Sequence, residues 1–185
     1  MSAEPPRRPL LDDAALFRQA TSLEALQAAW AKVLGNGGAA GGDNVTLERF
    51  LGNAPQRLAR LAAALRDGSY TPGPLRRLDI PKKSGGTRPL AIPCVVDRVA
   101  QTAVAQVLAP LLDREFEEAS FAYRAGRGVQ DAVRRVSDLR ARGHVYVVDA
   151  DIRSFFDAVS HQHLDRFLNH RIGDPRMLRL LGKWL

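Results

Sequence analysis

Residues 146–161 read YVVDADIRSFFDAVSH. An apolar run carries Asp149 and Asp151, two aromatics follow at Phe155 and Phe156, and then come Asp157 and His161. The pattern predicts a strand over residues 145–152. A carboxylate at the end of a buried strand is costly unless something pairs with it, and a divalent cation is a common partner. Asp149 and Asp151 are two apart, so both point to one face of an extended strand. Such a pair suits Mg²⁺, which takes carboxylate and phosphate oxygens. A structural reading competes: Asp149 ends the strand and Asp151 caps the next helix. Taken alone, the stretch leaves the two readings level.

A second segment separates them. Residues 70–101 read YTPGPLRRLDIPKKSGGTRPLAIPCVVDRVAQ. Residues 75–80 alternate with the strand period, Ser84, Gly85 and Gly86 form a turn, and residues 87–92 return. The expectation is a β-hairpin with basic residues at its base and tip. Upstream stands NGGAAGGDNVTLERF (36–50), and downstream FAYRAGRGVQDAV (121–133). In this order the blocks resemble the reverse transcriptases of the group II intron and retron type. Residues 36–50 are similar to the family's glycine-rich N-terminal block. IPKKSGGTRPLAIP (80–93) and DRVAQ (97–101) resemble its fingers. Residues 121–133 are similar to a block usually read Phe-Arg-Pro-Gly-Arg, and VVDADIRSFFDAVSH (147–161) to the first catalytic-aspartate motif of the palm. The resemblance runs from about Ser22 to the end, and ordered blocks are far more specific than any one of them.

The resemblance implies an α+β fold, the right-hand fold of reverse transcriptases, with helix-rich fingers, a β-hairpin and the first part of the palm. The family's next motif is a hairpin usually read Tyr-Ala-Asp-Asp. No Asp-Asp pair lies downstream of Asp151, and Asp12-Asp13, in LLDDAALF, fits a helix start instead. The expected piece is therefore truncated before the catalytic Asp-Asp hairpin and the thumb. The expected domains are a disordered lead-in at 1–20, an N-terminal helical extension with a glycine-rich loop at 21–70, fingers at 71–143, and partial palm at 144–185.

Residue roles follow from the same resemblance. Asp151 becomes the first ligand of a catalytic Mg²⁺, and Ile152 adds its backbone carbonyl. Asp149 supports the site without binding the metal. Phe156, five residues after Asp151, occupies the position whose ring packs on the sugar of the incoming nucleotide and leaves no room for a 2′-hydroxyl. Its alternative is plain core, the role expected of Phe155. Lys82 and Arg88 flank the hairpin turn, where cations grip a triphosphate. The alternative is a solvated hairpin tip, with Lys83 as a surface residue. Arg124 and Arg127 suit template or triphosphate phosphates. Ala122 and Ala125 depart from the family's usual Gly and Pro there, which weakens any fixed role. Arg76, Arg77 and Arg98 add to a basic groove. His161 reads as structural, since zinc needs more ligands nearby.

Composition agrees. The 185 residues hold 27 Lys and Arg against 20 Asp and Glu, a net charge of +7. A polyanionic partner is one reading and ordinary surface charge the other. Cys94 is the lone cysteine, so no internal disulfide or cysteine zinc site is possible, which fits a cytoplasmic protein. No apolar run approaches the roughly 18 residues that span a bilayer, so no membrane partner is expected. MSAEPPRRPLL lacks the core of a signal peptide.

A capping box at Thr21 and Glu24 predicts a helix ending at Gly35. Five glycines in residues 35–42 predict a mobile loop. A helical region over 47–66 is interrupted at Pro55. Amphipathic helices follow over 96–111 and 129–139. Ser160 and Asp174 start the last two. The leading expectation is the N-terminal part of an RNA-directed DNA polymerase, touching RNA template, RNA/DNA hybrid and dNTPs, and inactive alone. The alternatives are a non-catalytic, maturase-like RNA-binding module and a decayed gene product.

Overall fold

The computed structural model describes residues 13–81, 85–152 and 155–185. The chain divides into two compact units, one of Met1–Leu108 with His161–Leu185, the other Ala109–Ser160. These cut across the domain limits read from sequence.

In the first unit, α1 (Asp13–Ala20) places Leu16, Phe17 and Ala20 in the core. Residues 13–20 therefore form a packed helix and not a disordered lead-in: three apolar side chains at helical spacing repay the cost of ordering. The rest of that expected lead-in, 1–12, lies outside the described residues. The next helix, α2 (Leu23–Asn36), is capped by Ser22, whose hydroxyl accepts from the Ala25 N–H at 3.1 Å. Thr21, expected in that role, is fully buried and donates to the Phe17 carbonyl at 2.8 Å. Two short hydroxyl residues in a row left the cap ambiguous by one position. The helical region over 47–66 is interrupted as expected, but at Gly52 and Asn53, just ahead of Pro55. Pro55 itself lies in the first turn of α4 (Ala54–Asp67), after α3 (Leu47–Leu51), where its missing N–H costs nothing. Trp30 of α2 meets Phe50 of α3 with ring centroids 4.6 Å apart, and the Arg57 guanidinium lies over Phe50 at 5.4 Å.

The second half of the glycine-rich loop is packed. A side chain at Gly41 would come within 2.4 Å of the Cys94 nitrogen, and one at Gly42 within 2.5 Å of the Pro74 carbonyl oxygen. Close backbone approach accounts for these glycines better than mobility. Strands β1 (Arg76–Pro81) and β2 (Thr87–Ile92) form an antiparallel ribbon, with Arg76 opposite Ile92 and Ile80 opposite Arg88. Helix α5 (Val95–Leu112) buries Val95, Val99, Ala100 and Ala103. Among the described residues one helical stretch, Val95–Glu115, is long and apolar enough by length and composition to cross a membrane, although Asp97, Arg98 and Gln101 interrupt its apolar run. Core packing accounts for much of that apolarity. Last come α8 (His161–Arg171) and α9 (Pro175–Gly182), the second capped by Asp174 through the Arg176 N–H at 2.8 Å.

A buried polar network joins distant segments of this unit. Asp97 is 1% exposed. Its carboxylate accepts from the Tyr70 hydroxyl at 2.7 Å and the Gly73 N–H at 2.9 Å. The Trp184 indole N–H donates to the same Tyr70 oxygen at 3.1 Å. Burial, and then the Asp97 carboxylate, push the Tyr70 phenol well above its usual range.

The second unit holds a 3₁₀ turn (Asp113–Glu115), α6 (Val129–Ala141) and the short α7 (Phe155–Ala158). The strand expected over 145–152 is not formed. Val145, Tyr146, Val147 and Val148 are 70–95% exposed. A strand exists only through the ladder it makes with a neighbour, and none lies beside this segment among the described residues.

Candidate nucleotide and nucleic-acid site

Within the second unit, Asp149, Asp151 and Ile152 are all exposed on the segment that leads into α7. Phe156 is 86% exposed and Phe155 50%, their rings edge-on at 5.3 Å. Of the two, Phe156 has the freer face. Phe155 is not the core residue expected of it, because this unit buries little around it.

The loop before α6 was legible only in part. Arg124 is 9% exposed. Its Nε and Nη2 bind the Asp113 carboxylate at 2.6 and 3.1 Å, Nη1 takes the Glu117 and Ser120 carbonyls at 2.8 and 3.0 Å, and Nη2 adds the Asp113 carbonyl at 3.0 Å. That uses all five guanidinium N–H donors. The hydrogen bond from Arg124 holds the Asp113 carboxyl below its ordinary range. In this geometry Arg124 fixes the loop and has no donor left for a phosphate. Arg127 is less committed. It bonds the Glu118 carbonyl through Nη1 and lies 5.8 Å from the centroid of the Phe121 ring. Sequence reasoning missed Tyr123. It is fully exposed with φ +59°, an uncommon backbone for a bulky residue. Its place directly before Arg124 in FAYRAGRG was the only signal.

In the first unit the hairpin divides its cations by face. The register puts Arg76 and Arg88 on the same face as Leu78, Ile80 and Leu90, and Arg77 on the other with Asp79. All three arginines are exposed. Lys82 and Lys83 lie outside the described residues. Arg98 is turned inward, its Nη2 donating to the Ala39 carbonyl at 2.7 Å and Nη1 to Gly37 at 3.4 Å. It holds the glycine loop, a role spacing alone could not reveal.

For a divalent metal the donor chemistry is suitable but the set is incomplete. Asp151 and the Ile152 carbonyl are hard oxygen donors of the kind Mg²⁺ takes. Among the described residues no three acidic, histidine or cysteine side chains gather at one point.

Comparison with known proteins gives a consistent result. A family model described as reverse transcriptase (RNA-dependent DNA polymerase) matches residues 80–185, more than half of the chain. Protein YkfC of Escherichia coli is 37% identical over 135 residues, covering 69% of this chain and 35% of its own length. The group II intron-encoded protein LtrA of Lactococcus lactis is 33% identical over 72% of this chain and 22% of its own. The chain thus spans about a third or less of these relatives. A solved structure, a partial Cas6-RT-Cas1–Cas2 complex, superposes with a TM-score of 0.55 at 26% identity, over 92% of this chain and 28% of that one. With its α+β architecture, two-stranded ribbon and ordered motifs, the chain belongs to the reverse transcriptase family.

Proposed function

We propose that this chain supplies the fingers and the first palm motif of an RNA-directed DNA polymerase, with one of the carboxylates that the reaction needs. The observation that carries the reading is Asp151 and Phe156, both exposed and five residues apart, inside the segment matched by the family model. In the reaction a primer 3′-hydroxyl attacks the α-phosphorus of a dNTP. The new P–O bond forms as the bond to the bridging oxygen breaks, pyrophosphate leaves and the hydroxyl proton is lost. Mg²⁺, when bound, lowers the cost of the developing charge. Asp151 and the Ile152 carbonyl would hold part of it. Phe156 would pack on the sugar and exclude a 2′-hydroxyl. Arg88, with Lys82, would neutralise the triphosphate, and Arg76, Arg77 and Arg127 would draw in template phosphates. Arg98 and Arg124 would act through the loops they fix.

With one such carboxylate in these motifs, the 185 residues alone are not expected to extend a primer. The test is primer extension by a polymerase that carries this stretch ahead of the family's Asp-Asp hairpin. Asp151→Asn should reduce synthesis at least a hundredfold and leave RNA affinity unchanged. Retained synthesis would move the ligand to Asp149. If the unaltered polymerase binds RNA yet makes no DNA, the non-catalytic RNA-binding reading replaces this one.

A further inference from the structure

A cavity of about 200 Å³ opens in the first unit between the C-terminal end of α4 and α9. Its floor is apolar, with Phe17, Leu65 and Leu180 all buried. Its rim is cationic: Arg66 comes from α4, Arg176 and Arg179 from α9, and Lys183 from the C-cap of α9. Asp67 is the acid that lines it. Its carboxylate accepts from the Ser69 N–H at 2.8 Å, and none of the four cations pairs with it among the described residues.

Helix C-termini attract cations, and capping accounts for part of this rim. Arg66 gives Nε to the Ala62 carbonyl at 3.0 Å, and Lys183 caps the Gly68 and Tyr70 carbonyls. Arg176 gives Nε and Nη2 to the Asp174 carboxylate at 2.6–3.2 Å. Capping does not account for Arg179, whose guanidinium makes no hydrogen bond or ion pair among the described residues. It stands three residues from Arg176 and four from Lys183, spacings at which like charges repel on a helix face. An anion between them removes that cost. Arg66 also keeps both Nη groups unspent. Together the unspent guanidinium N–H groups outnumber the roughly four acceptor sites of a carboxylate and suit an oxyanion of higher charge. A recess of this volume takes one compact ligand and not a polymer.

We propose that this cavity binds a small anion of the phosphate class, either inorganic or at the end of a small molecule, held chiefly by Arg66 and Arg179. The inference is independent of the polymerase reading, since none of these cations falls in the motifs that carry the family resemblance.

The experiment follows the thermal midpoint of the full chain against inorganic phosphate, pyrophosphate and a dNTP, in EDTA and with sodium chloride as the ionic-strength control. Saturable stabilisation is expected, with a dissociation constant of about 1 mM or tighter for at least one of the three. Arg66→Gln and Arg179→Gln should each weaken it roughly tenfold, the loss of one charge-assisted contact. Arg77→Gln, on the hairpin, should leave it unchanged. All three side chains are exposed, and unchanged midpoints without ligand verify the fold. Weaker or non-saturating stabilisation, an effect that sodium chloride matches, or one dissociation constant shared by all variants overturns the inference. Pyrophosphate bound more tightly than the dNTP assigns the site to a free ion, and the reverse order to the phosphate end of a nucleotide; both support it. If a single-stranded RNA displaces the anion and Arg179→Gln weakens RNA binding tenfold as well, the cavity is part of a nucleic-acid surface and the small-anion site is overturned. Primer extension does not enter, so either result leaves the polymerase reading to its own Asp151→Asn test.

Discussion

Asp97→Ala should destabilise the first unit severely, and the size of the effect follows from its contacts. The carboxylate is 1% exposed and accepts two bonds, from the Tyr70 hydroxyl at 2.7 Å and the Gly73 N–H at 2.9 Å. A hydrogen bond to a charged group contributes about 1.5–3 kcal/mol. Two of them set a ceiling of roughly 6 kcal/mol. Removing the buried charge also relieves its own desolvation cost, so about 3 kcal/mol is expected. At about 2–4 °C per kcal/mol for a chain of this size, the thermal midpoint should drop by roughly 6–12 °C. Urea unfolding followed by tryptophan fluorescence is the assay for the free energy, since the two tryptophans, Trp30 and Trp184, both belong to this unit. Tyr70→Phe supplies the second arm. In the wild-type background it removes two bonds, the one donated to Asp97 and the one accepted from the Trp184 indole, and should cost about 2–4 kcal/mol. In the Asp97→Ala background only the Trp184 bond is left to lose, and the same change should cost about 0.5–1.5 kcal/mol. If Asp97→Ala costs less than about 1 kcal/mol, or if the two changes add, the network does not hold these segments together.

Three further outcomes are expected. The hydrogen bond from Arg176 lowers the Asp174 carboxyl below its ordinary value. A depressed folded-state pKa stabilises above the unfolded value and is lost on acidification, so the stability gap between wild type and Asp174→Asn should be constant above about pH 5 and close below about pH 4. A gap that ignores pH would show that the charge contributes nothing. Gly41→Ala should cost on the order of 1–3 kcal/mol in urea unfolding, because its methyl meets the backbone of Pro93 and Cys94; wild-type stability would mean the loop is looser than it looks. In an active polymerase, Phe156→Ala should raise ribonucleotide use relative to deoxynucleotide use in matched steady-state efficiencies. An unaltered ratio would return Phe156 to a packing role.

The hairpin was legible because its signals are local: strand alternation on both sides of Gly85 and Gly86, each with positive φ. The helices from α4 to α6 were legible for the same reason, their apolar spacing being a property of one segment. The strand at 145–152 was misread because its residues suit a sheet while its partner is not set by its own sequence. Arg98 was read as a groove cation and Arg124 as a phosphate contact, since nothing local distinguishes an arginine facing a phosphate from one facing a carbonyl brought from elsewhere. Asp97 shows the same limit. The motif around it was recognised, but its bond to Gly73, 24 residues away, appears only in the fold.

Two open backbone segments among the described residues differ in how they meet other copies of themselves. The β1–β2 ribbon carries Pro81 and Pro89, which cannot donate to an added strand, and Arg76, Arg77 and Arg88, which repel one. Residues 145–152 have neither safeguard: Val, Tyr, Val, Val outside any ladder among the described residues is a sequence that recruits its own kind. Its charges are Asp149 and Asp151 alone. The carboxylate proposed for chemistry is therefore also half of what keeps this segment from associating. Asp151→Asn, made to silence synthesis, removes that half, so a loss of activity has meaning only beside a sedimentation or light-scattering control showing that the variant has not self-assembled.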